Sequence, residues 1–251
     1  MDGYIPFCGL PPAPAELAAR WTLDPALLAG LAAALALGLW RAEDRRRLAA
    51  GWALAALLFV TPLCALSMAL FSARVAQHLA LTLVAAPLIA AALPRLALPP
   101  PAAAAGFAAL FWAWHAPGPY AATLASDGVY WTMHLSLFGG ALALWSSVVA
   151  ARERAPFAAF LALAGTAGQM SLFAALLVLS RGPWHVWHAD GAALWGLTAL
   201  ADQALAGALM WIVGAGLMGV AVAAMLTAPA LRRGDKPTHA PPGEPARGAA
   251  D

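Results

Sequence analysis

The chain has 251 residues, 63% hydrophobic and 10% charged, with a formal net charge of +2. A water-soluble domain carries about 25% charged residues, so this composition describes a membrane protein. The small net charge, on basic residues scattered through short loops, argues against nucleic-acid binding.

Residues 1–24 form an arm in which Pro6, Pro11, Pro12 and Pro14 prevent a long helix. Its first residues have neither a basic region nor an apolar core, so it is not read as a cleavable signal. The first apolar run is Pro25–Leu39, bracketed by Trp21 and Trp40 as interfacial anchors and stopped by the charged segment Arg41–Arg47. The second is Leu48–Leu70, with a kink expected at Pro62. The third covers 71–94 and carries Arg74 and His78, four residues apart and so on one helix face. The fourth starts after Pro99-Pro100-Pro101 and reaches His115. The fifth and sixth are Gly128–Ala150 and Pro156–Ser180. A polar loop, 181–203, precedes the seventh, Ala204–Ala228, and a Pro/Gly-rich tail, 229–251, is expected to be disordered. Glycines such as Gly139, Gly140, Gly165, Gly168, Gly207, Gly214, Gly216 and Gly219 are read as close helix packing through small residues. The two cysteines, Cys8 and Cys64, are expected to stay unpaired, because Cys64 lies inside an apolar run.

The expected fold is therefore an all-α polytopic bundle of seven transmembrane helices, residues 25–228, with the N-terminus outside and the tail inside. Charge supports this orientation. Arg41, Arg45, Arg46, Arg47, Arg95, Arg152, Arg154, Arg232, Arg233, Lys236 and Arg247 fall on the cytoplasmic side, and only Arg20, Arg74 and Arg181 outside, which accounts for all 14 basic residues. A re-entrant fourth segment would spoil the bias.

In this topology five of the six histidines lie toward the outer face, and only His239 is in the tail. At about 1.5 Å per residue, His78 and His134 lie roughly 10 Å below the outer boundary, with His115 at or just above that depth. Intramembrane ionisable groups are functional candidates by default, although a single interfacial histidine is also an ordinary amphipathic residue. Met133 stands beside His134, and Met68 and Met210 lie near the same layer, with Met170 and Cys64 deeper. Imidazole with thioether suits copper, Cu(I) above all, while methionine is also a common core gap-filler. Asp202-Gln203 opens the seventh span, either as a helix N-cap or in a functional role. His185-Val-Trp-His188 has i, i+3 spacing in a Trp-rich loop, a weak metal signal. No charged residue lies mid-span, where ion-coupled transporters carry one. There is no phosphate loop, nucleophile elbow or Cys-x-x-Cys.

The sequence resembles the polytopic CtaG family of cytochrome c oxidase assembly factors over about residues 6–228. The resemblance lies in Phe71-Ser-Ala-Arg-Val-Ala-Gln-His-Leu with Ala86-Pro87-Leu88 beyond it, and in Trp112-Ala-Trp-His115 followed by Tyr120. It continues in His134-Leu-Ser and in Asp202-Gln-Ala-Leu-Ala-Gly207 with Met210-Trp211. It departs from the family pattern, as a second histidine commonly precedes the one matching His78, where this chain has Arg74 and Gln77. The resemblance implies a multi-pass protein of the bacterial plasma membrane that is not an enzyme, and whose partners are cytochrome c oxidase subunits. It would handle copper at His78, His115 and His134 with Met133 and Met210. Asp202, Gln203, Arg74 and Trp211 would orient ligands or meet the partner, Asp202 as acceptor for a ligand imidazole. Two rivals stand beside it: a b-type haem held by His78 and His134, and a metal-free scaffold.

Overall fold

The computed structural model describes residues 4–96 and 98–234. Among these the secondary structure is helical throughout, in twelve α-helices joined by short turns. Helices α1 (Pro25–Arg41) and α2 (Arg45–Val60) each begin on an aspartate. Asp24 accepts from Leu27 N and Asp44 from Arg47 N, which satisfies amide groups that a first helical turn leaves without partners. Helix α3 (Leu63–Ala69) follows at a 52° bend, with Pro62 at its N-cap, as expected of a proline there.

The next helix runs unbroken from Phe71 to Ala92. It consists of α4 (Phe71–Ala80), a π-helical turn (Leu81–Ala85) and α5 (Ala86–Ala92). The wide turn sits just before Pro87, which has no N–H to donate and whose ring clashes with the Leu83 carbonyl at α-helical spacing. The loosened Thr82 carbonyl takes the indole N–H of Trp145 at 2.8 Å. Then come α6 (Pro100–His115), a short α7 (Pro117–Ala125), α8 (Asp127–Ala151) and α9 (Pro156–Leu179).

The loop expected over 181–203 is shorter and more structured. It holds a 3₁₀ turn (Val186–His188) and α10 (Ala189–Leu194), and the following helix starts at Ala199. That helix comprises α11 (Ala199–Leu209), a second π-helical turn (Met210–Gly214) and α12 (Ala215–Gly234). The expected tail is thus helical as far as Gly234, and its remainder, with His239, lies outside the described residues.

Among the described residues four helices are long and apolar enough to cross a membrane: Phe71–Ala92, Asp127–Ala151, Pro156–Leu179 and Ala199–Met225. The bent α2–α3 pair makes a fifth if it counts as one span. Helix α6 packs on α8 and α9, α4 on α11, and α5 on α2 and α8. Leu135, Phe157, Leu179, Ile212 and Val220 stay exposed, as befits surfaces that face acyl chains rather than water. Gly207 is one of the expected packing glycines that meets a neighbour closely. A Cβ there would lie 2.8 Å from the Ala174 carbonyl oxygen, so α11 and α9 approach at backbone distance. Gly139, Gly165, Gly168, Gly216 and Gly219 face open space instead.

The cysteines overturn the expectation that they stay apart. Cys8 and Cys64 form a disulfide that closes a 56-residue separation. The arm folds back over the helix ends nearest Cys64, which the count of apolar residues around Cys64 could not reveal. Phe7 stacks on Tyr130 and edges Trp131, the Tyr4 hydroxyl donates to Asp127, and the indole of Trp195 donates to the Pro12 carbonyl at 3.0 Å. Maleimide labelling of the denatured protein is therefore expected to find no thiol without reductant and both after reduction. Two reactive thiols in the unreduced protein would contradict the pairing.

Candidate functional site

Three helices bring three imidazoles together. His78 lies on the third turn of α4, His115 closes α6, and His134 lies on the third turn of α8. The ring centroids of His78 and His134 are 5.1 Å apart and those of His78 and His115 5.9 Å. All three are buried. The shared depth expected from the sequence is thus joined by a shared facing, which depends on helix rotation.

Two of the rings have a defined tautomer. His115 Nδ1 lies 2.7 Å from the Phe111 carbonyl and His134 Nδ1 3.0 Å from the Tyr130 carbonyl, each one helical turn back. A carbonyl only accepts, so each Nδ1 carries the proton and each neutral ring keeps its lone pair on Nε2. His134 Nε2 and His78 Nε2 are buried without a hydrogen-bond partner. Aromatic side chains hold the rings in place: Phe111 and Phe173 pack on His115, and Phe59 and Tyr130 on His134. A cavity of about 20 Å³ adjoins the cluster, lined by His78, His115, Thr82, Phe111, Met170 and Met210. It has room for one water-sized body. A larger apolar groove of about 350 Å³ lies between α1, α2 and α8 and includes His134 in its lining.

The methionines divide differently from the expectation. Met210 is brought to the cavity by the π-helical turn that it opens, and Met170, which the sequence placed deeper, joins it there. Met133 is fully buried beside His134 but is not among the cavity-lining residues. Trp211 is 48% exposed and turned away from the cluster. Among the described residues no group of three or more His, Cys, Asp and Glu side chains stands in metal-holding geometry. A site here would draw on sulfur as well as imidazole.

Asp202 acts on the cluster from a distance. Helix α11 is capped by Thr198, whose hydroxyl accepts from Ala201 N at 3.1 Å, so Asp202 is not the cap of its own helix. Nor does it serve an imidazole, since backbone carbonyls do that for His115 and His134. Its carboxylate instead closes α4. Oδ2 accepts from Phe71 N at 2.6 Å, and Oδ1 accepts from Ser72 N at 3.1 Å and from the Ser72 hydroxyl. An anion at a helix N-terminus meets both the free amides and the positive end of the dipole. Gln203 accepts from Trp184 N at 2.6 Å and donates to the Leu177 carbonyl at 3.2 Å, which ties down the loop that follows α9.

That loop carries two further histidines. His188 is fully used: its Nδ1 faces the Met68 carbonyl at 3.1 Å and its Nε2 the Tyr120 hydroxyl at 2.6 Å. His185 packs between Phe71 and Tyr120 with neither ring nitrogen bonded. Burial, then the positive forms of His115 and His188, then Arg74 push His185 down to about 3. Burial and then Arg74 hold His188 there as well. The i, i+3 spacing of the pair therefore does not make a common ligand set, because His188 is committed to holding the loop.

Two predictions follow from these contacts. Asp202→Ala leaves two buried amides and a hydroxyl unpaired, at about 1–3 kcal/mol each. It is expected to lower the unfolding temperature of detergent-purified protein more than Asp202→Asn, which keeps one accepting oxygen. Asn is not equivalent to Asp here, because both carboxylate oxygens accept. Equal stability of all three proteins would remove the capping role. The loop histidines predict a pH effect. Unfolded, each binds a proton near pH 6.5; folded, each resists until about 3. Stability is then full above pH 6.5 and falls as pH drops below it, by about 1.4 kcal/mol per unit per histidine. The unfolding temperature is expected to be lower at pH 5 than at pH 7.5, and His185→Phe is expected to lessen the difference.

No curated protein and no solved structure matches the chain. A family model described as cytochrome c oxidase caa3 assembly factor matches residues 95–230 of the 251, more than half of the sequence. The matched segment contains His115, Met133, His134, Met170, Asp202, Gln203 and Met210, and it begins after Arg74 and His78. The chain belongs to the CtaG family of cytochrome c oxidase caa3 assembly factors.

Proposed function

We propose that this assembly factor handles copper for the oxidase, as a seven-span protein of the bacterial plasma membrane with its N-terminus outside. The ion is cargo, held at His78 with one of its two imidazole neighbours, His115 or His134, completed by the thioethers of Met170 and Met210, and then passed to an oxidase subunit. The observation that carries the reading is the meeting of three buried imidazoles from three helices, two of them with unpartnered Nε2 atoms. Two imidazoles on one ion, with metal–nitrogen bonds of ~2.0–2.1 Å, have ring centroids about 5–6 Å apart at open angles. The observed 5.1 and 5.9 Å lie in that range.

The ligand chemistry agrees. Neutral nitrogen and thioether donors favour Cu(I) over harder ions. The carbonyls of Phe111 and Tyr130 fix the Nδ1 protons and so present Nε2 to the ion, the role the resemblance had given to Asp202. The haem alternative is disfavoured by space, since a cavity of about 20 Å³ beside His78 holds no macrocycle. A metal-free scaffold leaves the two unpartnered nitrogens at a cost of about 1–3 kcal/mol each.

Purified full-length protein is expected to bind Cu(I) in preference to Zn(II). A His78→Ala, His115→Ala, His134→Ala triple variant is expected to lose the bound copper while remaining in the membrane. In cells, the same variant is expected to leave oxidase subunits present but of low activity. Equal copper per chain in wild type and variant would end the proposal.

A further inference from the structure

Arg74 is 1% exposed, and it is the largest fully buried side chain among the described residues. It stands one helical turn before His78 on the same face of α4. One of its nitrogens donates to the Thr123 hydroxyl at 2.8 Å, while Nε and the other terminal nitrogen have no partner. Its guanidinium lies 5.0 Å from the Tyr120 ring centroid and 5.5 Å from that of Tyr130. No carboxylate pairs with it among the described residues. Asp202, the acid at the start of α4, spends both oxygens on that helix end.

A buried cation without a counter-ion is costly, and proteins usually supply one. Here the faces of two tyrosines and one hydroxyl take its place, which offsets part of the cost and leaves the charge uncompensated. The Tyr130 ring contacts both Arg74 and His134, its centroid 5.5 Å from the guanidinium and 4.3 Å from that of the His134 ring. The positive field therefore reaches the histidine cluster through a medium of low polarity.

We propose that Arg74 is a selectivity residue for the copper site, and that its uncompensated charge rejects divalent ions in favour of a monovalent one. This rests on the copper reading above. A neutral His/Met ligand set does not itself lower the charge of the ion, so each unit of ion charge meets Arg74 in full. At a separation of roughly 8 Å and an effective dielectric near 20, one additional unit of charge is disfavoured by about thirty-fold. The same repulsion weakens the hold on a monovalent ion, which suits a protein that must release its cargo.

The test is competition between Ag(I), a redox-inert monovalent probe, and Zn(II) on purified full-length protein. Two variants remove the net charge by different routes. Arg74→Gln deletes it, and Thr123→Asp places a carboxylate where the guanidinium already donates, keeping the arginine packed. Both are expected to narrow the Ag(I)-to-Zn(II) affinity ratio by about thirty-fold, chiefly by strengthening Zn(II), while Arg74→Lys keeps the wild-type ratio. If either folded variant binds both ions at the wild-type ratio, Arg74 does not set selectivity, and the copper site stands without it. If wild type binds neither ion, the copper reading fails and this inference with it.

Discussion

One carboxylate holds the site's geometry together. Asp202, fully buried on α11, closes the first turn of α4 through two main-chain amides and a serine hydroxyl. Helix α4 follows an abrupt break after α3 and has no cap of its own from Leu70. Without an acceptor its first amides would be buried and unpaired, a cost comparable to that of a lost core residue. The clamp sets where α4 begins, and therefore the level of Arg74 and His78 one and two turns on. A contact between residues 131 apart in sequence thus determines the position of a ligand candidate that it never touches.

The remaining parts of the site follow from how helices tolerate irregularity. Pro87 forces a wide turn, and the carbonyl it loosens is taken by Trp145 of α8, which locks the helix bearing His78 against the helix bearing His134. A second wide turn at Met210 brings a thioether to the same cavity. Such π-helical turns cost hydrogen-bond geometry and recur at functional sites. Around them, tyrosine and phenylalanine rings provide shape without charge. Nε2 of His78 and of His134 is left unpartnered, and Arg74 is buried beside them without a paired carboxylate among the described residues.

The end of the bundle nearest the histidines is built as a covered one. The arm is fastened by the Cys8–Cys64 disulfide and by the Tyr4–Asp127 and Trp195–Pro12 contacts. The loop after α9 is fastened by Gln203 and His188. Both lie close to the histidine layer, through Phe7 on Tyr130 and His188 on Tyr120. Delivery to a partner would have to pass these covers or enter between the helices at the apolar groove that reaches His134.

Composition and hydropathy were enough to identify a helical membrane protein and to locate most of its helices, because a bilayer demands long apolar stretches with internally satisfied backbones. The bend at Pro62 was legible for an equally local reason. The layer of His78, His115 and His134 could be read from rise per residue, and the family from the spaced motifs. What a linear chain does not carry is rotation about helix axes and pairing between distant segments. Rotation decided that His78 meets both His115 and His134 and that Met170 lines the cavity while Met133 does not. Long-range pairing decided that Cys8 finds Cys64, that Asp202 caps α4 rather than α11, and that Arg74 is buried without an acid. Each is a contact between residues tens of positions or more apart in the chain, and only packing of the whole bundle selects it.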